Sequence, residues 1–75
     1  MDHETAAKDV LDLRKKYLAL ERLVDQGHRS TALFLEIREA SDALVCLLDE
    51  VDYDPEGGWA RLAASYEELM RRCAN

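Results

Sequence analysis

Two runs of apolar residues mirror each other about Gly27, and that symmetry leaves the chain few ways to fold. Before the glycine, Ala6, Val10, Leu13, Tyr17, Leu20 and Val24 are spaced 4-3-4-3-4, and after it Leu33, Ile37, Ala40, Leu44, Leu47 and Val51 repeat the spacing. A 4-3 alternation places every member of a run on one stripe of an α-helix, the seam of a packed pair. Between the runs stand Gly27, suited to the left-handed residue that closes a helix, and Ser30 or Thr31, whose hydroxyl can cap the next one. A connection of three or four residues, Gly27 to Ser30, folds the second helix back along the first. In an antiparallel pair, residues at one level share an index sum. Val24 with Leu33, Leu20 with Ile37, Tyr17 with Ala40, Leu13 with Leu44, Val10 with Leu47 and Ala6 with Val51 all give 57. The layer that sets the large Tyr17 against the small Ala40 suits interdigitated packing.

A second apolar stripe flanks each seam: Ala7, Leu11 and Leu18 on the first helix, and Phe34, Val45 and Leu48, with Ser41 among them, on the second. These flanks share one side of the hairpin and predict a single apolar groove, with Asp9, Lys16, Glu36 and Glu50 on the solvated side. Residues 52–58, DYDPEGG, break the pattern. Asp54 before Pro55 is a helix-start signal, and Gly57 and Gly58 place the start of a third helix anywhere from Pro55 to Trp59. Trp59, Leu62, Tyr66, Leu69 and Cys73 then form a third stripe that matches the groove. The expected fold is all-α: an antiparallel helical hairpin plus a third helix, an up-down-up three-helix bundle. It is one domain over 1–75, with helices at about 5–26, 31–52 and 56–74. Asp12 with Lys16, Glu67 with Arg71 and Glu68 with Arg72 are expected i,i+4 ion pairs. A core this small is marginal on its own.

Charge narrows the partners. Ten Lys and Arg against 16 Asp and Glu leave a formal charge of -6, which opposes direct binding of nucleic acid or an anionic membrane. No apolar run approaches the roughly 18 residues of a membrane span, and no signal-peptide pattern opens the chain. A cytoplasmic protein is expected. Cys46 lies in the second helix, and Cys73 should sit level with Ile37, some 13 Å away by helical rise. A disulfide needs α-carbons within about 7 Å, so two free thiols and a reducing compartment are expected. His3 and His28 belong to no HxxxH, CxxC or ExxH spacing, and no Gly-rich phosphate loop or nucleophilic triad can be assembled. No metal, cofactor or enzymatic activity is therefore expected.

Asp49, Glu50, Asp52, Asp54 and Glu56 put five carboxylates within eight residues with no basic residue between them. Asp49, Glu50 and Asp52 fall at the C-terminus of the second helix, where the helix dipole disfavours negative charge by about 0.3–1 kcal/mol each. Two readings stand: a solubilising edge, or carboxylates that replace phosphates on a basic partner surface. The apolar residues Leu35, Val45 and Cys46, left over by the seams, and the aromatic Tyr53 complete that candidate surface; aromatic side chains dominate many interfaces. The leading expectation is a non-enzymatic inhibitor or regulator, of phage or accessory type, that occupies a basic or nucleic-acid-binding surface of a protein partner. A homodimer or chaperone-like homo-oligomer is the first alternative, because the second helix is apolar around much of its girth. The second alternative is an anionic-ligand binder using Arg14, Lys15 and Arg22.

Residues 11–23, LDLRKKYLALERL, resemble the first helix of the all-helical chorismate mutases. That family surrounds a dianionic substrate with several cationic side chains and sets a glutamate or glutamine near its ether oxygen. Arg14 is the one position here that corresponds. The resemblance spans about 13 residues and implies an anion contact at Arg14, while the chain is short for that fold. In size and acidity the chain is also similar in type to small secretion chaperones and phage-encoded inhibitors.

Overall fold

The computed structural model describes residues 3–51 and 54–74. They form α1 (His3–Asp25), α2 (Thr31–Glu50), one turn of 3-10 helix (Pro55–Gly57) and α3 (Gly58–Ala74), with no strand among the described residues. All three helices pack against one another, making an all-α three-helix bundle 37 × 20 × 17 Å in extent. The direction is up-down-up: the Tyr66 hydroxyl of α3 donates to the Leu13 carbonyl of α1, and Arg72 further along α3 reaches Asp25 at the end of α1. No helix among the described residues is long and apolar enough to cross a membrane.

The first connection is held by its own backbone. Gly27 takes φ +93°, its N–H donates to the Val24 carbonyl at 3.0 Å, and the His28 N–H donates to the Leu23 carbonyl at 3.1 Å. This double closure satisfies carbonyls that a helix end leaves open. The Arg29 guanidinium adds a 2.8 Å bond to the Val24 carbonyl, where the helix dipole favours a cation. Ser30, not Thr31, caps α2, its Oγ accepting from the Leu33 N–H at 3.1 Å.

The second connection departs from its sequence reading. The second helix ends at Glu50 instead of residue 52, and Val51 is extended (φ -121°, ψ 121°) although its side chain stays buried. Asp54 caps α3 from a distance, with Oδ1 accepting from the Trp59 N–H at 2.8 Å and Oδ2 from the Ala60 N–H at 3.1 Å. Between cap and helix, Glu56 (φ 55°, ψ 24°) and Gly57 (φ 71°) are left-handed. A non-glycine residue there costs roughly 1–2 kcal/mol, so α3 begins at Gly58, inside the interval expected. At the other end of the chain, α1 starts by His3, earlier than residue 5, and stops at Asp25.

The seams pack as their spacing requires. Ala6, Val10, Leu20 and Val24 of α1 are buried, as are Leu33, Ile37, Ala40, Leu44 and Leu47 of α2 and the whole α3 stripe from Trp59 to Cys73. Leu13 and Tyr17 are half-buried against this core. The Tyr17 and Tyr66 rings pack in a T-shape, centroids 5.2 Å apart and planes at 79°. Burial pushes the Tyr66 hydroxyl up to about 12. Burial first, and then the 2.9 Å hydrogen bond to Glu21, raises Tyr17 as well.

Two expectations are corrected. The second stripe is not an interior groove: Leu11 (51% exposed), Leu18 (55%) and Val45 (42%) lie at its rim, and Ala7 is exposed. Phe34 and Leu48 do pack on the core, and Ser41 is buried. Three helices cover one stripe each fully, and the flanks remain at the edge of the contact. The ion pairs also differ: Arg71 pairs with Glu68 one turn back at 2.5 Å, and Arg72 crosses to Glu21 and Asp25 of α1. Asp12 and Lys16 form none among the described residues. Cys46 and Cys73 are both free, as expected, the first exposed and the second buried.

Candidate functional site

The acidic edge divides once it is placed on the fold. Asp49 and Glu50 are exposed at the end of α2. Asp54 is half-buried and committed to the α3 cap through both carboxylate oxygens, and Glu56 is exposed on the left-handed turn. Asp52 and Tyr53 lie outside the described residues. Leu35 (46% exposed), Val45 and Cys46 are all on the surface. Val45 and Cys46 stand about one turn from Asp49, whereas Leu35 is some 21 Å from it along the helix. Leu35 is therefore at the far end from the acidic edge, and the two are joined only through the length of α2.

What fills that length escaped the run-based reading. Glu36, Glu39 and Asp42 are exposed on the same helix as Asp49 and Glu50, against the single cation Arg38. Five carboxylates and one guanidinium give α2 a charge of -4. By the same count α1 is neutral, with Glu4, Asp9, Asp12, Glu21 and Asp25 against Lys8, Arg14, Lys15, Lys16 and Arg22. The α3 helix is +1, with Arg61, Arg71 and Arg72 against Glu67 and Glu68. No residue of α2 takes part in an ion pair among the described residues. A charge balance taken helix by helix, instead of a search for consecutive acids, would have exposed this segregation.

Arg14, Lys15 and Arg22 are all exposed on α1, but they do not converge. Arg14 turns into the shallow groove between α1 and α3, where it lies near Gly58, 3.9 Å from the point a Cβ would occupy. There it lines one depression with Arg61, Tyr17, Leu18, Leu62 and Ser65, and an adjoining one with Ala7, Val10, Leu11 and Trp59. Lys15 and Arg22 fall with Leu11 and Leu18 on one i, i+4, i+7, i+11 stripe. Arg61 is the cation that sequence spacing missed, because only the parallel packing of α1 and α3 brings it opposite Arg14.

No protein-family model, curated protein or solved structure matches the chain.

Proposed function

We propose that this is a non-enzymatic interaction protein, a small acidic bundle that docks the outer face of α2 on a basic surface of a protein partner and acts there as an inhibitor or regulator. The observation that carries this reading is the unpaired charge of -4 on α2, with Leu35 exposed beside Glu39 and Asp42 and with Val45 exposed about one turn from Asp49. Charge on such a face steers encounter and sets register, while the apolar side chains supply affinity. The carboxylates replace phosphates where the partner's surface also takes nucleic acid. Asp49 and Glu50 form one end of this helix surface, and the free thiols fit a reducing cytoplasm.

The test is a triple variant, Glu39→Lys, Asp42→Lys and Asp49→Lys, compared with the parent in partner capture from native cells. These residues are exposed, so helicity and melting temperature should hold while capture drops steeply. Capture that survives the triple reversal at moderate salt removes this function.

A further inference from the structure

We infer that the groove between α1 and α3 receives the α2 face of a second copy of this chain, so that copies associate head to tail. The inference rests on the reading of α2 as a docking face and names one surface of the kind that face fits.

The two surfaces are complementary in charge and in apolar content. In the groove, Leu11 and Leu18 are half exposed seven residues apart, about 10 Å along α1. Arg14 lines the depressions at both leucines and Arg61 the one at Leu18, and no carboxylate lines either. Lys15 and Arg22 continue the basic stripe on α1, and none of these four cations takes part in an ion pair among the described residues. Asp54, at the neighbouring end of α3, has both oxygens on backbone N–H groups. On α2, Leu35 and Val45 are exposed about 15 Å apart along the axis and about 80° apart around it, with Asp42 between them and Glu39 beside Leu35. Apolar side chains of α2 seated in the groove would leave its carboxylates near the groove's guanidinium groups, a helix-in-groove arrangement.

Position on the bundle decides the symmetry. In a bundle of three helices, the outward face of one helix lies opposite the groove between the other two. The contact therefore joins two different patches, and every copy added leaves one of each open. Such a heterologous interface builds chains or rings instead of stopping at a two-fold dimer.

Sedimentation velocity on three proteins tests this. The parent chain should grow in size with concentration. A groove variant, Leu11→Glu with Leu18→Glu, and a face variant, Leu35→Glu with Val45→Glu, should each stay monomeric. Their equimolar mixture retains one intact junction and should give a dimer and nothing larger. All four positions are exposed, so circular dichroism should be unchanged. Should either variant misfold, Arg14→Gln with Arg61→Gln serves instead and should weaken association about tenfold. A parent that remains monomeric at high micromolar concentration overturns the inference, as does a groove variant that associates like the parent. Either result leaves the α2 reading standing, since that is measured by capture of a foreign partner. A symmetric dimer lost only in the face variant also overturns it, by assigning α2 to itself.

Discussion

The apolar stripe of α3 and the second stripe of α1 look alike as sequence and end in opposite environments. Trp59, Leu62, Tyr66, Leu69 and Cys73 are all buried, Tyr66 and Leu69 completely. Ala7, Leu11 and Leu18 recur at helical spacing too, yet Leu11 and Leu18 keep half their surface in water. The difference is what stands across from each. The α3 stripe faces both seams of the hairpin, and α2 packs more extensively against α3 than against α1. The α1 flank faces only the edge of α3, where Gly58 and the exposed Arg61 offer little apolar surface. Periodicity thus marks a stripe that can be buried, and the number of neighbouring helices decides whether it is.

Substitutions can break this contrast, beginning with the largest effect. Leu69→Ala should cost about 2–5 kcal/mol in a denaturant melt, because a fully buried leucine leaves a cavity that the bundle closes only in part. Asp54→Ala should cost about 0.5–2 kcal/mol, since two N–H groups at the start of α3 lose their acceptor. If Asp54→Ala instead leaves stability unchanged, the long-range cap contributes nothing to anchoring the α3 stripe. The pH profile follows from Tyr66. Its hydroxyl titrates near 12 in the fold and near 10 in an unfolded chain, so the folded state holds the proton more tightly. Its contribution is full below about pH 10 and declines as pH rises toward 12. Tyr17, raised in the same direction, adds to the slope. Thermal melts across that window should show the decline, and Tyr66→Phe should flatten it. Leu18→Ser should be the mildest change, within about 0.5 kcal/mol in a denaturant melt. A large loss there would mean that the rim leucines belong to the core after all.

Much of the architecture is legible in the sequence itself. Gly27 and Ser30 announced the first turn because each supplies a local device, a left-handed residue and a hydroxyl cap, that acts within a few residues. The second connection was less legible. Asp54 caps N–H groups five and six residues away, and Glu56 adopts a conformation that its side chain does not favour; neither follows from composition. The candidate surfaces divide in the same way. Asp49, Glu50 and Glu56 were visible as a run and are exposed, whereas Arg61 and the middle of α2 became significant only when the helices were set side by side.

Sequence alone determined the helices, the two mirrored seams and the direction of the hairpin, because helical periodicity and capping are short-range and written residue by residue. Tertiary packing decided that Tyr17 meets Tyr66, that Arg72 pairs with α1, and that the acidic helix and the Arg14–Arg61 groove occupy different sides of the bundle. Those relations join residues far apart in the chain, and only the docking of α3 brings them into one place.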